Sequence, residues 1–507
     1  MGTIVWAGVG MPDAAGVAHT NFAVYIEGAT IVATGAKEEL AAAYPAADVV
    51  GGDAYLLLPG LINSHDHGRG LSTLTLGVAD DLLELWLLGL AVLPAVDARL
   101  LAQLEGVTLL RSGVTATAHS HNPADWETMA AESDATIAGY RAAGVRVVYH
   151  PPHIDQNVLV YADRERFLAG LPADLQTTAR SFLQLPRRST EEYLALCSAL
   201  HQRYHDAHGH LVHIQVSPAG GQWCSDELIL ASCAWARANN TRVQMHFLET
   251  KYQAVYAYRR WGKSFLRHMA DIGALGPWLT LAHMIWVEEA DLPLLVDHGV
   301  AVASNPSSNL RIRSGIAPLA RYHALGIPVG IGLDGYALDD DQDYLRELRL
   351  AWTLGNRPGA AVPTLSSAEI LHMGTRGGAA VTFGTEAPLG HLAPGALADL
   401  VLLDWRALEG IWRSPLARPH DLLLRRGQRR HVRHVMVHGE WVLRDGRAVR
   451  IDEAALTGEI RDVLQRHAAT QAETEILAAR ALAPHLRTFY QAWDAELDAH
   501  PTLPGLT

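Results

Sequence analysis

The sequence has few cysteines and no long apolar run, and both absences restrict the class of protein. Its three cysteines, Cys197, Cys224 and Cys233, form no Cys-x-x-Cys pair, so we expect reduced thiols rather than a disulfide framework. No stretch approaches the ~18 consecutive apolar residues that a membrane span needs. The amino terminus also lacks the basic and apolar regions of an export signal. These absences predict a cytoplasmic protein with no membrane partner.

The charge balance excludes a further class of partner. Asp and Glu number 54 against 41 Lys and Arg, which gives a net charge of −13. No cluster of basic residues is interleaved with aromatic residues, so we expect no nucleic-acid partner. The hydrophobic content of 49% and the charged content of 19% are typical of a folded enzyme. A chain of 507 residues is long enough for two or three structural units.

The hydrophobic pattern changes along the chain and divides it into regions. Short alternating strands closed by glycine occupy residues 1–58 and return in residues 385–450. Residues 59–384 alternate apolar runs with longer amphipathic segments, which is the pattern of βα units on a parallel sheet. Residues 451–507 are rich in helix formers. We therefore predict an α/β protein with a (β/α)8 TIM barrel, a small β-sandwich domain built from both terminal regions, and a C-terminal helical extension.

Candidate strands in the barrel region number eight, which is the count that a (β/α)8 barrel requires. Most of them end in His, Ser or Asp, and in this fold the carboxyl ends of the strands carry the active site. The first strand precedes His65, and the others are Gly113–His119, Val145–His150, Leu211–Ser217, Arg242–His246, Leu279–His283, Val300–Ser304 and Val329–Asp334.

The end of the first strand carries a histidine pair. An apolar run breaks at Pro59 and Gly60, and the chain then reaches His65 and His67 with one residue between them. Side chains two residues apart on an extended strand point to the same face, so both imidazoles can bind one ion. A chance pair in a loop is the alternative, because His-x-His is a common spacing.

Four further groups complete a candidate metal site. His246, Glu249, His283 and Asp334 lie at or just past the ends of later strands. Three imidazoles (His65, His67 and His246) and the Asp334 carboxylate would hold a divalent ion and leave a position open for water, as in catalytic sites. Such an ion lowers the pKa of water from 15.7 to about 7.

We also predict catalytic roles for Asp334, Glu249 and His283. Asp334, placed against both metal and water, would take the proton of the water. Glu249 would carry a proton to the leaving group or to a ring nitrogen. We expect His283 to orient or polarise the substrate, because the metal shell is already supplied.

The sequence resembles the amidohydrolase superfamily, in the branch that contains cytosine deaminase, guanine deaminase and the triazine hydrolases. The resemblance extends to about Arg447. In that branch the positions matching His65, His67, His246 and Asp334 bind the metal, and those matching Glu249 and His283 act on the substrate. The motifs that carry the resemblance are Pro59-Gly-Leu-Ile-Asn-Ser-His-Asp-His67, His246-Phe-Leu-Glu249, Ala303-Ser-Asn-Pro-Ser-Ser-Asn-Leu-Arg311, Gly330-Ile-Gly-Leu-Asp-Gly335, Pro394-Gly-Ala-Leu-Ala-Asp-Leu-Val-Leu-Leu-Asp404 and Val435-Met-Val-His-Gly-Glu-Trp-Val442.

The resemblance also bears on the number of metal ions. Binuclear members of the superfamily usually bridge two ions with a carboxylated lysine at the end of the fourth strand. The only lysines are Lys37, Lys251 and Lys263, whereas the candidate fourth strand ends in Val216-Ser217-Pro218. We therefore predict one divalent ion. Zinc is the first expectation, and iron, manganese and cobalt also suit imidazole and carboxylate ligands.

The chain departs from the pattern of this branch at positions that would choose the substrate. The fourth strand is followed by Ser217-Pro-Ala-Gly-Gly-Gln-Trp-Cys224 without a histidine, and the seventh ends in Ser304 where many relatives have histidine. His119 and His121, and also His150 and His153, add imidazoles near the barrel mouth. Hydrogen-bonded loop histidines are the alternative interpretation. The predicted substrate-binding residues are His119, His121, Trp86, Gln222, Trp223, Ser304 and Tyr336.

Three functions remain open from the sequence. The first is a metal-dependent hydrolase, of the deaminase type, that acts on a C–N bond of an N-heterocyclic small molecule. The second uses the same site on an exocyclic amide, urea or carbamate bond. The third is a barrel without catalysis that serves as a scaffold or binding protein. We also expect a homo-oligomer, a dimer or higher, in which the C-terminal extension is a lid or a subunit contact.

Overall fold

The computed structural model describes residues 2–205, 211–335, 340–356, 359–470 and 473–498. Its strands are β1 Thr3–Gly10, β2 His19–Glu27, β3 Thr30–Ala36, β4 Asp48–Pro59, β5 Leu61–Asp66, β6 Val114–Ser120, β7 Arg146–His150, β8 Pro152–His153, β9 Val212–Ile214, β10 Ser217–Pro218, β11 Val243–Phe247, β12 Leu279–His283, β13 Ala301–Ser304, β14 Val329–Ile331, β15 Leu400–Asp404, β16 Val432–Val437, β17 Glu440–Arg444 and β18 Arg447–Ala448.

Helices connect most of these strands and form the carboxyl-terminal end. The α-helices are Lys37–Ala43, Leu83–Leu90, Ala98–Arg111, Met129–Ala143, Arg164–Ala169, Ala173–Phe182, Thr190–Tyr204, Asp226–Ala238, Lys251–Trp261, Phe265–Asp271, Leu292–His298, Pro306–Arg311, Leu319–Ala324, Tyr344–Gly355, Ser367–Met373, Arg376–Phe383, Trp405–Glu409, Pro419–Arg426, Glu453–Thr470 and Glu473–Asp498. Single turns of 3-10 helix occur at Gly221–Trp223, Glu289–Asp291 and Arg429–His431. None of the helices that the structure describes is long and apolar enough to cross a membrane.

Eight parallel strands in two sheets carry the predicted site. One sheet has the order β5-β6-β7-β9 and the other the order β11-β12-β13-β14. Nearly every residue of these strands is buried, as expected for parallel strands covered by helices on the outside. Each of the eight predicted strand regions overlaps one of them.

The two sheets do not form one continuous ladder. An isolated parallel bridge joins Val216 to Val243 on one side. On the other side the Asp334 N–H donates to the His65 carbonyl oxygen at 3.0 Å, and the Leu333 N–H donates to Asn63 Oδ1 at 2.9 Å. These two bonds hold the ends of β5 and β14 together, so the predicted ligands from both sheets face a common opening.

A third, mixed sheet combines strands from both terminal regions. Its order is β18-β17-β16-β15-β4-β1-β2-β3. β4 is central, because it pairs in parallel with β1 and antiparallel with β15. One face packs a core that includes Val5, Val24, Leu57, Leu402 and Met436. Because β4 leads through Gly60 directly into β5, this sheet anchors the strand that carries His65.

The last helix, Glu473–Asp498, packs beside the opening. Its Leu482 and Leu486 share a hydrophobic cluster with Leu85 and Leu88 of helix Leu83–Leu90. The Tyr490 hydroxyl donates to the Leu159 carbonyl oxygen at 2.8 Å. Leu83–Leu90 also carries Trp86, so the carboxyl-terminal helix supports a segment next to the predicted site.

Candidate metal centre and active site

His65 and His67 project from the end of β5 with their rings close together. The ring centroids are 5.2 Å apart, as the alternation of strand side chains predicts. Asp66 between them points away and accepts a hydrogen bond from the Gly68 N–H at 2.8 Å. His246 from β11 joins the pair, with its ring centroid 4.8 Å from that of His65.

In each of the four histidines of this cluster, the Nδ1 atom contacts an oxygen atom of the protein. His67 Nδ1 lies 2.8 Å from the Ser120 carbonyl oxygen, and His246 Nδ1 lies 2.6 Å from that of Ala219. The other two contacts are His65 Nδ1 to Gln244 Oε1 at 2.7 Å and His283 Nδ1 to Asn309 Oδ1 at 2.8 Å. Carbonyl oxygens only accept, so each Nδ1 carries the proton and each neutral ring has a lone pair on Nε2.

The four Nε2 atoms converge on the Asp334 carboxylate. Asp334 Oδ1 lies 3.0 Å from His65 Nε2 and 3.1 Å from His67 Nε2. His67 Nε2 is also 3.1 Å from His246 Nε2. One ligand atom each from His65, His246, His283 and Asp334 forms a group within 4.8 Å. His283, predicted to act on the substrate, belongs to this group, although its Nε2 is 3.9 Å from Asp334 Oδ2.

One proton shared between two of these residues would not compensate all the lone pairs that face each other in the cluster. Burial lowers the pKa of His65, but the hydrogen bond and charge of Asp334 raise it above its ordinary value, so a proton between these two residues is the alternative to a cation. That proton leaves His67 and His246 with facing lone pairs. Burial lowers the pKa of His67 to about 4 and that of His246 well below its ordinary value. Neutral imidazoles beside a carboxylate are the donor set of a divalent metal, so these residues fit the group.

Glu249 lies next to this cluster without being part of it. Its Oε2 is 3.7 Å from His283 Nε2 and has no hydrogen-bond partner in the described part of the chain. Burial, and then the charge of Asp334, raise the pKa of Glu249 well above its usual range. A carboxyl group whose pKa is raised in this way holds its proton more firmly and can donate it to a substrate.

The backbone at two of these residues is strained. His283 has φ of 73° and Asp334 has φ of 58°, in the left-handed region that residues with a side chain rarely adopt. Such strain costs of order 1–3 kcal/mol and persists where the surrounding structure enforces it. His283 is the last residue of β12, Asp334 follows β14, and both side chains belong to the cluster, so the strain coincides with the cluster.

His119 and His121 lie together, but their ring nitrogens are occupied by the protein. His119 Nε2 is 3.2 Å from His121 Nδ1. The remaining nitrogens face the Tyr140 hydroxyl at 3.0 Å and Glu132 Oε2 at 3.2 Å. Burial lowers the pKa of His119 well below its ordinary value, so it is neutral.

The other predicted substrate residues that the structure describes have different surroundings. The Trp223 ring centroid lies 5.6 Å from that of His246, and Gln222 lines a separate cavity of about 500 Å3. Ser304 is buried, and its Oγ has no hydrogen-bond partner among the described residues. Trp86 lines a small cavity of about 30 Å3 beside Asp334. Tyr336 lies outside the described residues.

Several residues in contact with the cluster were not identified from the sequence. The Ser308 hydroxyl donates to Asp334 Oδ2 at 2.6 Å, and Arg69 Nη1 donates to the Asp334 carbonyl oxygen at 3.1 Å. Gln244 and Asn309 fix the rings of two histidines. Ser308 and Asn309 belong to the Asn-Pro-Ser-Ser-Asn motif, which was a usable signal, whereas Arg69 is signalled only by its place two residues after His67.

Comparison with known proteins finds relatives that are named as deaminases. A 5-methylthioadenosine/S-adenosylhomocysteine deaminase from Nitratidesulfovibrio vulgaris is 30% identical over 450 residues, which are 87% of this chain and 92% of that protein. A 5'-deoxyadenosine deaminase from Methanothermobacter thermautotrophicus is 30% identical over 416 residues, which are 80% and 86% of the two chains.

Solved structures with a similar fold include another enzyme that is named as a deaminase. An adenosine deaminase from Xanthomonas campestris with bound zinc superimposes with a TM-score of 0.75 at 24% identity, over 92% of this chain and 98% of that one. Neighbours of this kind imply a (β/α)8 barrel. The model of the amidohydrolase family matches residues 56–442. Because this match covers more than half of the sequence, the chain belongs to the amidohydrolase family.

Proposed function

We propose that the protein is a metal-dependent hydrolytic deaminase that acts on an N-heterocyclic amine. The observation that carries this proposal is the convergence of four Nε2 lone pairs on Asp334, beside a Glu249 carboxyl group whose pKa is raised by burial. The deaminase relatives support the reaction type.

The metal in this proposal is one zinc ion. His65, His67, His246 and Asp334 would hold it, and it would supply Lewis acidity that lowers the pKa of water to about 7. The zinc in a neighbouring structure supports the choice of metal. All three lysines are engaged elsewhere, which supports a single ion: Lys251 pairs with Asp494, Lys263 pairs with Asp271, and Lys37 lies over Trp6.

The chain's own residues move the protons. Asp334 Oδ2 accepts the proton of the attacking water, while the Ser308 hydroxyl, 2.6 Å away, holds the carboxylate in place. Glu249 donates a proton to the ring nitrogen next to the reacting carbon. His283, held by Asn309, orients the substrate. Water adds to the carbon that bears the amine. Asp334 then passes its proton to the amine, the added hydroxyl returns a proton to Glu249 as the carbonyl forms, and ammonia leaves.

The substrate would lie between the cluster and the residues around it. Trp86, Trp223, Gln222, Ser304 and Tyr336 are the proposed pocket residues. His119 and His121 remain in the proposal as contacts through their ring faces, because all four of their nitrogens have protein partners. About 30 Å3 is open beside Asp334, which is room for one water, so we infer that the loop before helix Leu83–Leu90 shifts when a heterocycle binds.

The proposal extends to the organisation of the molecule. We retain the division into residues 1–58 with 385–450, residues 59–384 and residues 451–507, together with a cytoplasmic location. We also propose a homo-oligomer. The exposed apolar side chains of Ile411, Trp412 and Leu416 support it, because such patches commonly mark contacts between proteins.

A product screen tests the reaction. The metal-loaded enzyme is incubated with N-heterocyclic amines and, separately, with amides, ureas and carbamates. We expect ammonia release from members of the first panel. Release of amine together with carboxylate or carbon dioxide from the second panel alone would support the alternative function, hydrolysis of an amide, urea or carbamate bond. The absence of histidine from residues 217–224 and from position 304 is the reason for considering this alternative. Turnover of neither panel at full metal occupancy would favour a scaffold.

A further inference from the structure

Arg69 presents a cation to the cavity beside Asp334. The cavity is lined by Arg69, Trp86, Arg311 and Asp334, among others. The Arg69 guanidinium carbon lies 4.9 Å from the Trp86 ring centroid, and Nη1 makes its one hydrogen bond to the Asp334 carbonyl oxygen. The cation is therefore held in place, while most of its five N–H donors have no acceptor among the residues that the structure describes.

The two arginines of this cavity differ in charge compensation. Arg311 is paired with Asp80 at 2.9 Å and with Asp340 at 3.3 Å. No ion pair within the described ranges includes Arg69. The carboxylates that interact with its charge are those of Asp334, Asp66 and Glu105. Each of them accepts other hydrogen bonds: Asp334 from Ser308, Asp66 from Gly68, and Glu105 from Gln342 and Gly70. Within the described residues Arg69 thus makes no direct ion pair, although these three carboxylates interact with its charge.

The wall around Arg69 favours a ligand that accepts hydrogen bonds. Trp86 Nε1, a group that can only donate, is buried and has no acceptor in the described segments. The absence of a side chain at Gly335 also leaves room for the Arg69 guanidinium. A Cβ at Gly335 would lie 2.4 Å from Arg69 Nη1, and Gly335 has φ of 101°. Glycine at this position lets the guanidinium lie against the turn that carries Asp334.

We propose that Arg69 binds an anionic oxygen of the substrate, so that the enzyme selects N-heterocycles with an acidic oxygen substituent. This inference rests on the proposed function for the position of the ring. The planar guanidinium matches the two oxygens of a carboxylate and also binds a single ring oxyanion. The opposing interpretation is that Arg69 only supports the Asp334 turn.

Binding of a matched pair of ligands separates these interpretations. Orotate carries a carboxylate on the pyrimidine ring and uracil lacks it. Their affinities are measured by calorimetry on the metal-loaded protein. We expect orotate to bind the wild type at least about tenfold more tightly, the scale of one charge-assisted hydrogen bond. Arg69→Met should lose this preference and leave the affinity for uracil and the metal content unchanged.

Two variants complete the design. Arg69→Lys keeps the charge but not the planar donors, so it should retain part of the preference and shows whether charge alone suffices. Arg425→Met is the control, because Arg425 also lies over a tryptophan, Trp352, at 4.6 Å, on a helix that carries none of the site residues. It should bind both ligands as the wild type does.

The outcomes are decisive in both directions. Absence of orotate preference in the wild type, or its retention in Arg69→Met, overturns the proposal. An equal loss of uracil and metal binding in Arg69→Met would assign Arg69 to support of the turn. A comparison of orotate with 5-hydroxyuracil above the pKa of its hydroxyl separates a carboxylate from a ring oxyanion. Failure to release ammonia from any amine would refute the proposed function and leave the binding result standing.

Discussion

Replacement of Gln244 by methionine tests the tautomer argument on which the metal site depends. Gln244 Oε1 accepts from His65 Nδ1 at 2.7 Å, and its Nε2 donates to the Ser64 carbonyl oxygen at 2.9 Å. Methionine has a similar volume but can replace neither bond. The variant leaves a buried donor and a buried acceptor unsatisfied, at a cost of about 1–3 kcal/mol each in the free energy of unfolding.

The expected effect on the metal is separate from the effect on stability. Without Gln244 the His65 ring can rotate or carry its proton on Nε2, which removes the lone pair that faces Asp334. Loss of such a partner typically weakens metal affinity by about 10- to 100-fold. The affinity is measured by competition with a fluorescent zinc chelator, and the stability by denaturant unfolding of the metal-free protein.

Gln215→Met supplies a closely matched control. Gln215 Oε1 lies 3.0 Å from His150 Nε2, and its Nε2 donates to the Thr382 carbonyl oxygen at 2.8 Å. Like Gln244 it is buried, but the two ring nitrogens of its histidine contact Gln215 and the His119 carbonyl oxygen, and not Asp334. Both variants should lose similar stability, and only Gln244→Met should lose metal affinity. Unchanged affinity in Gln244→Met, or an equal loss in Gln215→Met, would refute the reasoning.

Three further predictions concern the proton-transfer groups and pH. Asp334→Asn should abolish turnover, because the amide cannot accept the proton of water; near-normal activity would contradict its role. Glu249→Gln should reduce kcat by about 10²- to 10⁴-fold while zinc content by mass spectrometry stays at the wild-type level, and a parallel loss of zinc would instead make Glu249 a ligand. The third prediction concerns Glu132. Burial alone would raise the pKa of its carboxyl group, but hydrogen bonds from His121 and Thr128 lower the pKa from 4.5 to about 2. Its contribution to stability is therefore present above pH 4.5 and lost as the pH falls towards 2. The difference in unfolding free energy between wild type and Glu132→Gln should shrink over that range, and a difference independent of pH would argue against the pairing.

Much of the barrel could be predicted because its strands are buried on both faces. Leu279–His283 is an apolar run that ends in a polar residue, and the structure has the strand at those bounds. The prediction was less accurate at Leu211–Ser217, where the structure has two short strands, β9 and β10. Pro218 lacks an N–H for a ladder, and β10 pairs with β8 outside the barrel sheet. Periodicity along the sequence cannot show this exchange of partners.

In the candidate site, too, some contacts could be predicted from the sequence and others could not. His65, His67, His246 and Asp334 lie at strand ends, where the fold itself brings side chains together, so their proximity could be expected from the sequence. The partners of His119 and His121 could not, because Glu132 and Tyr140 belong to the helix Met129–Ala143 and no spacing links them to the strand. Arg69 was missed for a related reason, since its position depends on the turn at Gly335.

Titration of the metal-stripped enzyme with zinc, monitored by ammonia release, tests the central claim most directly. The substrate is an N-heterocyclic amine found active in the product screen. We predict no ammonia release before zinc is added, a linear rise with added zinc, and a plateau at one ion per chain. Ammonia release that is independent of zinc, or a plateau at two ions per chain, would contradict a mononuclear metal-dependent deaminase.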